Sequence, residues 1–364
     1  MKISTIIGAR PQFIKAAAVS RIIAADNDME EIIIHSGQHY NPNMSSCFFD
    51  ELNIPEPRYN LKIGSGSHGK QTGEMLIAVE NVLQMEKPDL VIVYGDTNTT
   101  LAGALSAAKL KIPVFHIEAG LRSHNRSMPE EINRILTDHI SSILFTPSES
   151  SSNQLLKEGI SSDKIFNVGD VMYDAILFYN HFNSNRTTIV NRLNLKPKSY
   201  CLATVHRAEN TDCQKKLTNI FEALSELSRI MQVILPLHPR THLALQKTGK
   251  LEKYLNNIFI TEPVGYLDML ALEMHAKLII TDSGGVQKEA YFNKIPCITI
   301  RNESEWIELI NSGWNKLCPP DSPFSFLPFI DKEHFFLSEN YRPFYGDGNA
   351  SRKIVEKIKS IFNT

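Results

Sequence analysis

AKLIITDSGGVQKEA, residues Ala276 to Ala290, is the stretch on which the reading of the chain turns. Lys277 to Thr281 is a short apolar run, and Asp282-Ser283-Gly284-Gly285 then opens a run with helical character, so the order is strand, glycine turn, helix start. Two glycines let the backbone come close to a ligand. The unpaired N–H groups of a first helical turn, at the positive end of the helix dipole, suit a phosphate. A tight βα turn of any α/β protein has the same pattern, and the surrounding sequence has to separate the two readings.

Working outward, short apolar runs alternate with helical stretches from Ile3 to about Cys318, the pattern of parallel sheets covered by helices on both faces. The predicted fold class is α/β. The pattern restarts after the polar segment His181 to Lys198, which gives two similar α/β domains with a boundary near Gly169 to Lys198, taken as 1–170 and 171–350. Open parallel sheets bind ligands at the carboxyl ends of their strands, so the expectation is a ligand cleft lined by the strand-end loops of both halves.

Composition narrows the function classes. Of the 364 residues 42% are hydrophobic and 21% charged, as in a soluble globular protein, and no apolar run approaches the roughly 20 residues of a membrane span. The N-terminal apolar stretch before Gly8 is too short for a signal-peptide core and reads as a first strand, so the expected location is cytoplasmic. The five cysteines (Cys47, Cys201, Cys213, Cys297 and Cys318) are widely spaced and form no CxxC, which argues against a disulfide framework or a zinc site. A net charge of −2 without a basic tract gives no reason to expect nucleic acid. No metal and no cofactor are predicted, nor a membrane partner.

The candidate site residues sit at strand ends. Gly8-Ala9-Arg10-Pro11-Gln12-Phe13-Ile14-Lys15 leaves the first strand and starts a helix with Pro11 at a favourable position. Arg10 and Lys15 then lie near the positive end of a helix dipole, where a bound anion would account for them; the alternative for Lys15 is a solvated helix residue. Asp96 follows the strand Leu90 to Tyr94, and Glu118 follows Val114 to Ile117, so successive strands deliver carboxylates to one rim. Asp96 has a helix cap as its structural alternative. Glu130 and Glu131 fall in the first turn of the next helix, where acids favour the dipole; for Glu131 a role on the same rim competes with that reading. Three acids on one rim point to proton transfer, and a basic, glycine-rich counterpart points to binding of a leaving phosphate. In the second half His206, Arg207, His238, Ser283, Gly284, Gly285 and Arg301 occupy strand ends. Glu289, one helical turn beyond Gly285, is placed to reach a ribose hydroxyl pair. A different stretch, Gly64-Ser65-Gly66-Ser67-His68-Gly69, matches GxGxxG but lacks the preceding apolar strand and the following acid, so it reads as a loop before a helix from Thr72 to Leu83.

At these residues the chain resembles the non-hydrolysing UDP-N-acetylglucosamine 2-epimerases. The motifs are GARPQFIK, GDTNTTLAGALSA, HIEAGLRS, MPEEINRILTD, TVHRAEN, LPLHPRT and TDSGGVQKEA. The resemblance implies two Rossmann-like domains of the glycosyltransferase-B type, with the last helix, about 351–364, packing back on the first domain. It implies that Arg10, His206, Ser283, Gly284, Gly285 and Glu289 hold UDP, and that Lys15, Asp96, Glu118, Glu131 and His206 surround the sugar. It also implies a homodimer, and a reaction that eliminates UDP to a 2-acetamidoglucal and re-adds it with the proton on the other face of C2. The GARPQFIK and HGKQTGEM segments look closer to the branch acting on UDP-2,3-diacetamido-2,3-dideoxyglucuronate. Many bacterial members carry a regulatory nucleotide-sugar site that begins Gln-His, then Arg and a second Gln. Here Gln38-His39 is followed by Tyr40-Asn41-Pro42-Asn43, a departure from that pattern. A glycosyltransferase or a catalytically silent nucleotide-sugar sensor are the rival readings, and a nicotinamide dehydrogenase rests only on the GxGxxG loop.

Overall fold

The computed structural model describes residues 1–38, 54–183, 189–330 and 341–362, so Cys47 and the residues following Gln38 in the regulatory comparison lie outside the described residues. The chain divides into two compact units, Met1–Leu177 with Pro343–Thr364, and Phe178–Arg342.

In the first unit the strands are β1 (Lys2–Ile7), β2 (Glu30–His35), β3 (Tyr59–Asn60), β4 (Leu90–Tyr94), β5 (Val114–Ile117), β6 (Ile143–Thr146) and β7 (Ile165–Asn167). They form one sheet in the order β3-β2-β1-β4-β5-β6-β7, all neighbours parallel. In the second unit β8 (Tyr200–Thr204), β9 (Gln232–Pro236), β10 (Phe259–Thr261), β11 (Leu278–Thr281), β12 (Cys297–Thr299) and β13 (Asn315–Leu317) repeat the plan as β10-β9-β8-β11-β12-β13, again all parallel. Helices cover both faces of such sheets, so the central strands carry apolar side chains on both sides and appear in the sequence as unbroken runs. Leu90–Tyr94 and Tyr200–Thr204 are buried at every position.

The strand order fixes where a ligand can sit. From β1 the chain builds outward to β3, then returns to place β4 on the other side of β1. The loops after β1 and β4 therefore part from each other, which makes β1/β4 a topological switch point; β8/β11 is the same in the second unit. Arg10 and Asp96 follow the two strands of the first, and His206 and Ser283 follow those of the second.

Residues 57–63 are too polar for a central parallel strand. The structure makes Tyr59–Asn60 a two-residue edge strand, registered Ile34↔Tyr59 and His35↔Asn60. An edge strand has one neighbour and needs no second apolar face, so polarity does not exclude it. The helix after the GxGxxG loop runs His68–Glu86, longer at both ends than its apolar pattern.

The helix Ala350–Phe362 belongs to the first unit and packs on the helix Arg10–Ala24. Its first two backbone N–H groups donate to the carboxylate of Asp174 (3.1 and 2.6 Å), an anion at the positive end of the dipole. Lys359 closes an ion pair with Asp26 at the other end.

Candidate active site

Gln12 sets the width of the first switch point. Its Oε1 accepts from the N–H groups of Gly8 (2.8 Å) and Ala9 (3.0 Å), and its Nε2 donates to the carbonyl of Tyr94 (2.9 Å) and to Thr100 Oγ1 (3.0 Å). One buried side chain thus ties the end of β1 to the end of β4.

Three residues further along the same helix, Lys15 is buried, and its ammonium pairs with Glu118 Oε2. The solvated reading of Lys15 is therefore excluded. Glu118 has φ +69°, a left-handed backbone that a non-glycine residue holds at a cost of about 1–3 kcal/mol. Beneath the pair lies Gly95, at φ +63°, where a Cβ would stand 3.1 Å from Glu118 Oε2 and 3.5 Å from Lys15 Nζ. The left-handed backbone favours glycine there, and a Cβ would crowd the ion pair.

Asp96 and Glu131 are joined through Arg134. Arg134 Nε donates to Asp96 Oδ2 at 2.9 Å, and its Nη1 donates to Glu131 Oε2 at 2.6 Å. Glu131 also accepts from Ser123 N (2.9 Å), Ser123 Oγ (3.1 Å) and His124 N (2.9 Å). Burial pushes its carboxyl pKa up, but the Ser123 N–H, the Arg134 charge and the His124 N–H outweigh this and hold it below the ordinary value. Glu131 is an ionised anchor: it docks the loop Ser123–His124 and aims Arg134 at Asp96.

The helix that supplies these groups, Pro129–Ile140, is turned inside out. Glu131, Asn133, Arg134, Thr137 and Asp138 are buried, while Ile132 and Leu136 are 47% and 46% exposed.

In the second unit Asp282, fully buried at the end of β11, reaches across to the turn after β8. Its carboxylate accepts from the backbone N–H groups of His206 (3.1 and 3.0 Å) and Arg207 (3.0 Å) and from Asn210 Nδ2 (3.0 Å), and His206 Nδ1 lies 3.2 Å away. Burial raises its pKa, but the His206 ring, Asn210 and the Arg207 N–H bring it below the usual value. With a carboxylate at Nδ1, His206 carries hydrogen on that nitrogen and keeps Nε2 as its other polar atom. His238 has a structural duty as well: its Nδ1 accepts from Arg240 N at 3.1 Å, capping the helix Pro239–Thr248 and leaving Nε2–H as a donor. Burial, His206 and Arg240 lower its pKa, and the two imidazole centroids are 5.7 Å apart.

Ser283 caps the helix Gly284–Phe292, accepting from Val286 N. The two glycines differ in what requires them. A Cβ on Gly284 would meet Glu305 Oε1 at 2.5 Å, whereas one on Gly285 would meet only Ser283 Oγ, at 3.9 Å. The bareness of Gly284 thus answers to an internal carboxylate, while Gly285 presents open space at the positive helix end. Glu305 is partly buried; desolvation alone would raise its pKa, yet Arg301 and then Arg207 depress it. Arg301 donates to Glu305 Oε2 at 2.7 Å, but its buried Nε has no hydrogen-bond partner among the described residues. Arg207 stands 3.8 Å from both Glu209 and Glu305, too far for a hydrogen bond. Glu289 is buried and bonded to the hydroxyl of Tyr266, whose pKa burial and Glu289 drive well up. Arg10 opens its helix, half-buried.

Sequence reasoning did not single out Gln12, Arg134, Asp138 or Asp282. The spacing of Glu131, Arg134 and Asp138, at i, i+3 and i+7, places them on one helical face and was the available signal. No group of three or more His, Cys, Asp or Glu among the described residues is arranged to hold a metal, and no described helix is long and apolar enough to cross a membrane.

The chain is similar to several known proteins along nearly its whole length. A family profile described as UDP-N-acetylglucosamine 2-epimerase matches residues 21–359. A Methanococcus maripaludis protein named as a homolog of that enzyme is 55% identical over 99% of this chain and all of its own length. The UDP-2,3-diacetamido-2,3-dideoxy-D-glucuronate 2-epimerase of Pseudomonas aeruginosa is 47% identical over 99% of this chain and all of its own. Among solved structures, the Methanocaldococcus jannaschii UDP-GlcNAc 2-epimerase in complex with UDP-GlcNAc and UDP superposes with a TM-score of 0.89, at 47% identity over 99% of this chain and 100% of that one.

Proposed function

Because this chain belongs to the UDP-N-acetylglucosamine 2-epimerase family, a family of isomerases, we propose that it epimerises C2 of a UDP-N-acetylhexosamine, interconverting sugars of the UDP-GlcNAc and UDP-ManNAc type without hydrolysis. C2 has no adjacent carbonyl to acidify its hydrogen. The C2 proton therefore leaves only as the C1–O bond to UDP breaks, giving a 2-acetamidoglucal and UDP. Re-addition of UDP at C1, with a proton delivered to the opposite face of C2, completes the change. This needs carboxyl groups at C2 and donors on the departing diphosphate.

The observation that carries the reading is the acid cluster at the first switch point: Glu118 paired with buried Lys15, and Asp96 joined through Arg134 to Glu131. We assign proton transfer to Asp96 and Glu118, with Lys15 setting the charge of Glu118 and Glu131 holding the loop and Arg134. To UDP we assign Arg10, His206, Arg207, His238, Ser283, Gly284, Gly285 and Arg301, with Glu289 on the ribose; His206 is also the group nearest in kind to a proton donor for the leaving diphosphate. The same chemistry on UDP-2,3-diacetamido-2,3-dideoxyglucuronate is the second reading, favoured by the 47% identical Pseudomonas relative.

Two further features belong to the reading. Free thiols at Cys201, Cys213, Cys297 and Cys318 support a reducing, cytoplasmic compartment. The exposed Ile132 and Leu136 support a homodimer in which a second copy covers them, so Ile132→Asp is expected to lower the sedimenting mass at micromolar concentration.

The deciding experiment is NMR of each UDP-sugar in D2O with no acceptor present. Epimerisation predicts deuterium at C2 and a second anomeric signal for one of the two sugars. Absence of C2 exchange with both would remove the assignment.

A further inference from the structure

We infer that Asp138 and His116 form a positioning network that fixes Glu118 relative to Asp96, two residues the chain brings to neighbouring strand ends. The inference rests on the functional reading above, in which both acids face the substrate.

Neither residue projects from a strand-end loop: His116 lies inside β5 and Asp138 late in the helix Pro129–Ile140, both almost fully buried. His116 Nδ1 is 2.7 Å from Asp138 Oδ1, and its Nε2 is 2.7 Å from the carbonyl oxygen of Gly95. Both ring nitrogens face oxygen atoms, so the ring bridges the Asp138 carboxylate and the Gly95 carbonyl. The other carboxylate oxygen of Asp138 accepts from the backbone N–H of Gly120 (3.2 Å) and from Arg122 Nη1 (2.7 Å). Arg122 in turn donates to the carbonyl of Leu121 (2.6 Å) and grips Glu158 with two bonds of 2.8 and 2.7 Å.

What distinguishes this from a satisfied core histidine is the pair of backbone atoms at its ends. Gly95 immediately precedes Asp96, and Gly120 lies two residues after Glu118. One carboxylate therefore holds the loop after β4, through the imidazole, and the loop after β5 directly. Glu118 occupies a left-handed conformation that its own backbone does not favour, so something outside the turn has to hold it. The bonds from Gly120, Leu121 and Gly95 to this network are placed to do so, and they act on the spacing of the acids without touching substrate.

The test is the ratio of C2 deuterium in recovered substrate to that in product, measured in D2O for wild type and Asp138→Asn. This ratio does not depend on how much enzyme is folded. A remote core variant, Leu224→Ala, serves as the destabilised control and is expected to keep the wild-type ratio. Displacement of Glu118 slows transfer at one face of C2, so Asp138→Asn is expected to change the ratio, with turnover down about 10- to 100-fold and KM within about twofold. An unchanged ratio in Asp138→Asn overturns the inference, whatever the rate. If that variant does not fold, His116→Gln, which keeps a donor toward Gly95 and loses Asp138, is read by the same criterion. A crystal structure of either variant in which Glu118 keeps φ near +69° and its contact with Lys15 also overturns it, independently of any substrate. Absence of C2 exchange in the wild type would instead count against the functional reading, leaving that crystal structure to judge the network.

Discussion

The two switch points answer their charges differently. In the first unit Lys15 meets Glu118, Arg134 meets both Asp96 and Glu131, and Glu131 is held by four donors. In the second unit Arg301 is paired with Glu305 through Nη1, but its buried Nε has no hydrogen-bond partner among the described residues, Glu209 standing 3.7 Å from it, and the carboxylates around Arg207 stay at 3.8 Å. An unsatisfied buried donor is costly, and a cationic one more so, which favours an anion arriving there. Under the proposed function, the first rim stays fixed while protons move, and the second receives a negatively charged group. Chemistry and capture are thereby separable by mutation.

The strongest way to break that division is Glu118→Gln. It removes a proton-transfer group, so turnover should fall about 10²- to 10⁴-fold while UDP affinity by calorimetry stays within about twofold. A parallel loss of UDP binding would mean the first rim also captures. Glu131→Gln comes next, with turnover expected to drop about 10²-fold because the loop at Ser123 and the aim of Arg134 are lost, and with UDP binding nearly intact. Arg301→Met probes the other side: the UDP Kd should rise about 10- to 100-fold, as for a hydrogen bond to a charged group, with the rate at saturating substrate changed only a few-fold. The smallest effect sharpens the picture of the first rim as internally neutralised. Burial raises the Glu158 pKa, but Arg122, Gln154 and His139 outweigh that and bring it from 4.5 to about 2. A depressed folded pKa gives stability that is present above 4.5 and lost as pH falls toward 2, so the thermal midpoint should decline through that window. Glu158→Gln should decline less steeply there, and an identical slope would show that the pair contributes nothing measurable.

Much of the architecture could be read from the chain because parallel strands buried on two faces leave apolar runs, and the glycine turn at 284–285 marks a strand-to-helix transition. Tyr59–Asn60 escaped because an edge strand owes its existence to β2 and has no pattern of its own. The strand-end positions of Asp96, Glu118, His206 and Ser283 were legible for the same reason as the strands. Their partners were not. Lys15 and Glu118 are 103 residues apart, and His206 and Asp282 lie 76 apart. Such pairs depend on the β1-β4-β5 order and the β8/β11 adjacency, which no local periodicity encodes. Gly284 was legible as a glycine but not by its cause, since Glu305 comes from a loop beyond the next strand.

The inverted helix Pro129–Ile140 has a thermal consequence. Most helices are fastened by oil, and the fastening slackens in the cold because hydration of apolar surface grows less unfavourable. This one meets the rest of its unit mostly with carboxylate, amide and guanidinium groups, and Ile132 and Leu136 face away from that contact. Peeling it away would hydrate mainly polar surface, which lowers heat capacity instead of raising it. The loop that Glu131 secures should therefore keep its grip on chilling, at temperatures where conventionally packed helices of the same protein begin to loosen.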